Sequence, residues 1–345
     1  MKIEKSLFGT TPNGKDVDKY SITNDNGMTL ELITYGATIQ SVLIPCADGK
    51  IRDVAVGFDS LDGHINHSDY EGNTVGRYAN RLHNAQFSVG GQKYVVSANE
   101  KGKTCLHGGG EFSTAVWDAS VDTDNSVVMS YTSPNGSMGF PGEMMSKVRF
   151  TLTNDNEVVI SYTAICSADS PINFTNHIYF NFTGSTEKNV LAHTLRIDSD
   201  AFTPIDADSI PTGEIKPVKG TAFDFTQEKA IGRDIEMNDE QLTIGKGYDH
   251  NFCLNETAGA VITAKEESSG IEMNVYTDMP GVQLYTGNFF DGTIIGKQGL
   301  PLIKNAGFCL ETQFYPDTPN QPQFPQCNFK AGEVFRSTTK YQFKF

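Results

Sequence analysis

The chain lacks most of what would place it in a membrane, on nucleic acid or around a metal. No uninterrupted apolar stretch is long enough to span a bilayer, and Met1-Lys2-Ile3-Glu4-Lys5-Ser6 runs into polar residues without an apolar leader core. The expectation is an unsecreted, cytoplasmic protein. No Lys/Arg-rich run occurs, and the net charge of −15 sets a long-range field against nucleic acid and anionic lipid, which suits a neutral substrate better than a polyanion. The cysteines, Cys46, Cys105, Cys166, Cys253, Cys309 and Cys327, form no C-x-x-C pair, and several lie in apolar runs such as Phe252-Cys253-Leu254. That pattern predicts reduced, mostly buried thiols, with neither a disulfide frame nor a structural metal.

Nucleotide and hydrolase signatures are missing too. Gly102-Lys103-Thr104 ends like a phosphate loop, but Ser97 holds the upstream glycine position, and Asp122-Thr123-Asp124 and Asp198-Ser199-Asp200 lack the glycine and glutamate of a calcium loop. There is no G-x-S-x-G, H-E-x-x-H or G-x-G-x-x-G. Neither a cofactor nor a catalytic metal is expected.

Sustained helical periodicity is absent as well. In its place, short alternating runs recur, including 29–34, 39–44, 127–132, 148–153, 158–163, 194–197 and 271–276. Turn signals such as Asn26-Gly27, Asp48-Gly49, Gly90-Gly91 and Pro134-Asn135-Gly136 punctuate them. Many strands with tight turns predict packed antiparallel sheets, an all-β sandwich, with only short helix-like exceptions such as the segment around Gly76–Leu82. No linker or repeat divides the chain, and residues 1–345 read as one domain, with 183–219 as long loops.

The stretch Thr175–Phe182 organises the chemistry. As a strand it places Thr175, His177, Tyr179 and Asn181 on one face and Ile178, Phe180 and Phe182 on the other. Hydrogen-bonding neighbours at i±2 can fix the histidine's ring and tautomer for proton transfer, although a half-exposed sheet histidine also occurs without any such role. Glu311 lies in Phe308-Cys309-Leu310-Glu311-Thr312-Gln313, an otherwise apolar strand where burial raises a carboxyl's pKa, and on local grounds it is the acid to pick as general base. Asn80 and Arg81 follow a glycine-containing turn, where the guanidinium fork could grip vicinal hydroxyls or a carboxylate, or serve as a surface ion-pair partner. His107 precedes Gly108-Gly109-Gly110, either beside a closely approached ligand or in a tight loop, and Asp249 at a strand mouth is either a hydroxyl acceptor or a turn cap.

These residues belong to a longer series of matches: Tyr35-Gly36-Ala37-Thr38-Ile39, Val56-Gly57-Phe58-Asp59, Gly76–Arg81, Leu106-His107-Gly108-Gly109, Thr175-Asn176-His177, Asp249–Phe252, Gly281–Phe289, Cys309–Gln313 and Asn320-Gln321-Pro322. In this order they resemble the aldose 1-epimerase, or galactose mutarotase, family. The resemblance implies a sandwich of large twisted antiparallel sheets with a cleft for a free aldose, in a monomer or homodimer without cofactor. It implies Glu311 as base at the C1 hydroxyl and His177 as acid at the ring oxygen, with His107 near that oxygen and Asn80, Arg81, Asp249 and Gln283 binding hydroxyls. Two departures stand out. Ile178 and Phe182 replace the usual Ser and Leu on the face away from His177, and the loop from His107 to Phe112 and Trp117 is one residue short, which bears on sugar preference. The competing readings are a hexose-6-phosphate epimerase, which needs a basic cluster, a glycosidase pairing Asp249 with Glu311, and a sugar-binding module without catalysis.

Overall fold

The computed structural model describes residues 1–67 and 69–345. Strand Met144–Leu152 alternates buried and exposed side chains along its length, and Glu157–Cys166 and Val334–Lys344 repeat the pattern. One face of each therefore packs and the other meets solvent. They form the middle of a 9-stranded antiparallel sheet that runs from Asp118–Thr123 at one edge to Lys229–Ala230 at the other. Its buried face carries Val148, Phe150, Ile160, Tyr162, Met273, Val275, Tyr341 and Phe343.

Against that face lies a 7-stranded sheet whose central members are Ala201–Thr203, Asp249–Cys253, Gly281–Tyr285, Phe308–Gln313 and Tyr179–Phe180. Phe252, Val282, Leu284, Phe308, Leu310 and Phe180 point into the shared core. Ring contacts such as Phe180 with Tyr341, 5.2 Å between centroids, join the layers. The predicted sandwich is the observed architecture. A 5-stranded sheet, Lys2–Thr10 through Ile51–Asp53, adds Ile22, Leu30, Leu32 and Val42 to the same core.

The central strands of the 7-stranded sheet are buried on both faces, so the alternation that marks the outer sheet becomes a polar/apolar alternation inside the protein. The face turned away from the core bears Asp249 and Asn251, Gln283 and Tyr285, and Cys309, Glu311 and Gln313, held side by side by pairings such as Asn251 with Gln283 and Gln283 with Glu311. A row of polar side chains on buried strands needs partners, and that face is the floor of the cleft.

The structure corrects two local expectations. Thr175–Phe182 is not one strand: Thr175–Asn176 pairs with Thr74–Val75, Tyr179–Phe180 pairs with Phe308–Cys309 and with Ala55–Val56, and His177 and Ile178 lie between. The His177 N–H donates to Asn73 O and its carbonyl accepts from Gly72 N–H, so the chain is spliced between neighbours at this histidine. The segment Gly76–Leu82 forms no helix; its end, Arg81–Leu82, pairs with Cys105–Leu106. Ile178 and Phe182 are core residues, as their face of the stretch suggested. Among the described residues no helix is long and apolar enough to cross a membrane, and all six cysteines are free and buried.

Buried histidines, three of them away from the cleft, weaken the fold in acid, and His107 and His177 within it act in the same sense. Burial lowers His64 to about 3 and His193 and His250 to about 4. The unfolded chain takes up protons below the ordinary value of about 6.5 while the folded chain refuses them, so stability is full above that pH and falls as pH drops toward 4. Each group contributes about 1.4 kcal/mol per pH unit in that window; Glu311, whose pKa is raised, works in the opposite sense. The urea midpoint should therefore drop markedly between pH 7 and pH 5. An unchanged midpoint would mean that these rings are solvated in the folded state.

Candidate active site

A cleft of about 160 Å³ opens over the polar face of the 7-stranded sheet. Of the residues singled out from sequence, Asn80, Arg81, His107, His177, Asp249 and Glu311 line it. Gln283 does not: its amide donates to Asp249 Oδ1 at 2.7 Å and its Oε1 accepts from Gln313 at 3.3 Å, so it supports Asp249 from beneath.

His177 Nε2 lies 3.5 Å from Glu311 Oε1. Glu311 Oε2 is buried and accepts no hydrogen bond among the described residues. Burial, followed by the nearby Asp249 charge, raises the Glu311 pKa well above the carboxylate range, with Arg81 opposing. Burial lowers His177 to about 4, against smaller pulls upward from its own main-chain carbonyl and Asp249. Environment thus pushes an adjacent acid and base toward the neutral pair, which is how sites prepare groups to exchange a proton near neutral pH.

His107 is held by the main chain of Asn80. The His107 N–H donates to Asn80 O at 3.0 Å, and the Asn80 N–H donates to His107 Nδ1 at 3.2 Å. A neutral ring that accepts at Nδ1 carries its proton on Nε2. Burial, with His177 and Arg81 nearby, lowers its pKa well below the ordinary value and keeps it neutral. Asn80 and His107 both occupy the left-handed region, at φ of 61° and 50°. Gly108 is required for the approach: a Cβ there would sit 2.2 Å from Gly76 O. The short loop runs from His107–Gly110 into the helical turn Glu111–Thr114, and of the segment 106–117 only Leu106 and His107 reach the cleft.

Arg81 bridges two carboxylates. Its Nε and Nη2 grip Glu100 at 2.9–3.2 Å, and Nη1 lies 3.6 Å from Asp249. Burial disfavours its charge, but Asp249 and Glu100 outweigh burial and hold its pKa above the usual value. The sequence reading missed Glu100, Tyr70, Tyr179 and Tyr285 as lining residues. Glu100 sits in the polar turn Asn99-Glu100-Lys101-Gly102, which reads as solvent loop, and only its pairing with Arg81 distinguishes it. The Tyr70 ring lies 4.6 Å from His107 and 5.8 Å from His177, from a loop without periodic signal.

The ligating atoms of His107, His177 and Glu311 all fall within 4.8 Å of one another, a donor set of the kind that divalent cations use. Yet a His107 ring accepting a main-chain N–H at Nδ1 offers a proton, not a lone pair, from Nε2. The arrangement fits hydrogen-bond donation to a ligand oxygen better than metal binding.

Comparison with known proteins gives this geometry its family. A family model described as aldose 1-epimerase matches residues 18–342. Galactose mutarotase of Mus musculus is 40% identical, with 99% of each chain covered, and aldose 1-epimerase of Escherichia coli K12 is 36% identical, with 96% of each covered. The crystal structure of galactose 1-epimerase from Lactobacillus acidophilus NCFM superposes with a TM-score of 0.88 at 27% identity, over 100% of this chain and 99% of that one. The sandwich, the buried His–Glu pair over its inner sheet and a match spanning nearly the whole sequence agree that the chain belongs to the aldose 1-epimerase family.

Proposed function

We propose that the protein interconverts the α and β anomers of free aldohexoses such as galactose and glucose, with Glu311 as general base and His177 as general acid. The observation that carries this reading is the 3.5 Å approach of His177 Nε2 to Glu311 Oε1 in a cleft otherwise furnished to bind hydroxyls. Glu311 takes the proton of the C1 hydroxyl as the bond from C1 to the ring oxygen breaks, and that oxygen takes the proton of His177 Nε2. Rotation about C1–C2 turns the aldehyde. The new hydroxyl returns its proton to His177 while its oxygen attacks the other face of C1, and the carbonyl oxygen takes the proton back from Glu311. Nothing is consumed, and no cofactor enters.

The pair works with one shared proton. The ion pair, Glu311 carboxylate with His177 imidazolium, matches the closed sugar; the neutral pair matches the open aldehyde; both contain the same number of protons. Burial favours the neutral form, and Asp249 adds to it at Glu311, while Arg81 acting on Glu311 and Asp249 acting on His177 pull toward the charged one. The opposing pulls lower the cost of reaching the charged form, which a reversible proton exchange needs. His107 Nε2–H donates to the ring oxygen, and Asn80, Arg81 and Asp249 hold hydroxyls, with Gln283 fixing Asp249. The cytoplasmic, single-domain reading draws support from the free thiols and from a core that takes residues from Tyr20 to Phe343.

The competing readings have less support. A phosphosugar needs unpaired cations, whereas among the described residues the permanent cation lining the cleft, Arg81, already faces Glu100 and Asp249. A glycosidase pairs its acid with a second carboxyl across the scissile bond, whereas the group that adjoins Glu311 at 3.5 Å is His177, and Asp249 is engaged by Gln283 and Arg81. Polarimetry of freshly dissolved α-D-galactose tests the proposal. The protein should hasten the approach to the ordinary equilibrium rotation without moving it. Acceleration confined to hexose 6-phosphates would transfer the activity to phosphosugars, and no acceleration with any free aldose would refute it.

A further inference from the structure

The acid has a neighbour that the mechanism has not used. Cys309 Sγ lies 3.6 Å from His177 Nδ1, on the side of the ring opposite Glu311. Cys309 is fully buried and stands two residues before Glu311 on the same face of strand Phe308–Gln313. One strand thus presents the base to one ring nitrogen of His177 and a thiol to the other. Tyr179 and Tyr285 are the cross-strand partners of Cys309 and flank it on either side, which leaves the sulfur little freedom to move.

The proton cycle dictates what that partner must do. After His177 gives up the Nε2 proton, Nε2 must keep a lone pair so that the proton can return, so the neutral ring has to carry its remaining proton on Nδ1. The partner of Nδ1 must therefore accept a hydrogen bond. A thiol that donated to Nδ1 would instead leave the proton on Nε2 and close the return path. A carboxylate in this place would also hold the tautomer, but it would make the ring more basic and so a poorer acid toward a weakly basic ether oxygen. A neutral sulfur accepts weakly and adds no charge. Burial, followed by the nearby Glu311, raises the thiol pKa well above its ordinary value and keeps the sulfur neutral.

We propose that Cys309 is a positioning residue for the epimerase reaction: its sulfur accepts the His177 Nδ1–H, fixing ring and tautomer so that Nε2 alone exchanges the proton, while leaving the ring a strong acid. This rests on His177 as the acid. The groups that face His177 are Glu311 at 3.5 Å and the rings of His107, Tyr179, Tyr70 and Tyr285 at 5.1, 5.1, 5.8 and 6.4 Å. Asp249 acts on it at longer range. In addition to Glu311, the sulfur has Glu71, Asp249 and Asp69 as longer-range charged neighbours.

The test uses the full chain with Cys309→Ala and Cys309→Ser. In the alanine variant kcat should fall about 10-fold or more, with KM near the wild-type value, because a loosened acid loses orientation and not affinity. The ¹⁵N spectrum of His177 should change from the Nδ1–H tautomer to a mixture. The serine oxygen can accept the same proton and should restore most of kcat and the tautomer. As the stronger acceptor, it should also move the acid limb of kcat/KM to higher pH. Wild-type kcat and tautomer in Cys309→Ala would overturn the proposal. If the alanine variant fails to fold, an unchanged acid limb together with an Nε2–H ring in Cys309→Ser overturns it equally. His177→Asn with wild-type kcat would remove the acid assignment and this proposal together; loss of kcat in His177→Asn beside full activity in Cys309→Ala would remove this proposal alone.

Discussion

Glu311→Gln should lower kcat by about 10²–10⁴ while KM changes little. Glutamine preserves the size of the side chain and its reach toward the C1 hydroxyl, but the amide cannot take a proton and return it. Because Glu311 is 2% exposed on a strand buried on both faces, the substitution also removes a carboxyl whose ionised form burial disfavours. The variant should therefore be at least as stable as the wild type at neutral pH, an exchange of activity for stability that is common at active sites. The measurement is steady-state anomerisation together with a thermal melt. A folded Glu311→Gln protein with near wild-type kcat would take the base role away from this residue.

His177→Asn should lower kcat on a comparable scale, for a different reason. The amide can occupy part of the ring's place and keep a hydrogen bond toward Cys309 or Glu311, but it does not titrate near neutral pH. It also gives up ring contacts with Tyr179 and His107, both 5.1 Å away, so some loss of melting temperature should accompany the loss of rate. The diagnostic quantity is kcat measured well below the melting transition. Intact kcat with a lowered melting temperature would make His177 a structural residue.

Much of this site could be read from the residues because the chemistry breaks the surrounding pattern. Glu311 shows itself as an acid within an apolar strand, and the structure buries it on the polar face of the inner sheet. His177 was found by alternation although the strand it was assigned to does not exist. The main chain leaves one sheet partner for another at that residue, through bonds to Gly72 and Asn73, and such distant pairings have no local signal. Asn80 and His107 depend on each other's main chain across a separation of 27 residues, so either alone looks like a turn residue. Gln283 matches a hydroxyl-binding position in the family resemblance, yet its amide is engaged with Asp249 and Gln313. Glu100 and Tyr70 come from loops whose composition says only that they are loops; three-dimensional proximity to Arg81 and His107 gives them their place in the cleft.

The most direct test of acid–base ring opening is magnetisation exchange between the H1 protons of α- and β-D-galactose at equilibrium, followed by NMR with catalytic amounts of protein. With the sugar already at equilibrium, only interconversion can transfer magnetisation between anomers. Exchange cross-peaks should grow with protein concentration at unchanged anomer populations, and none should appear for methyl α-D-galactopyranoside, whose C1 oxygen has no proton for Glu311 to remove. Absence of protein-dependent exchange for the free sugar, or release of methanol from the glycoside, would contradict acid–base ring opening.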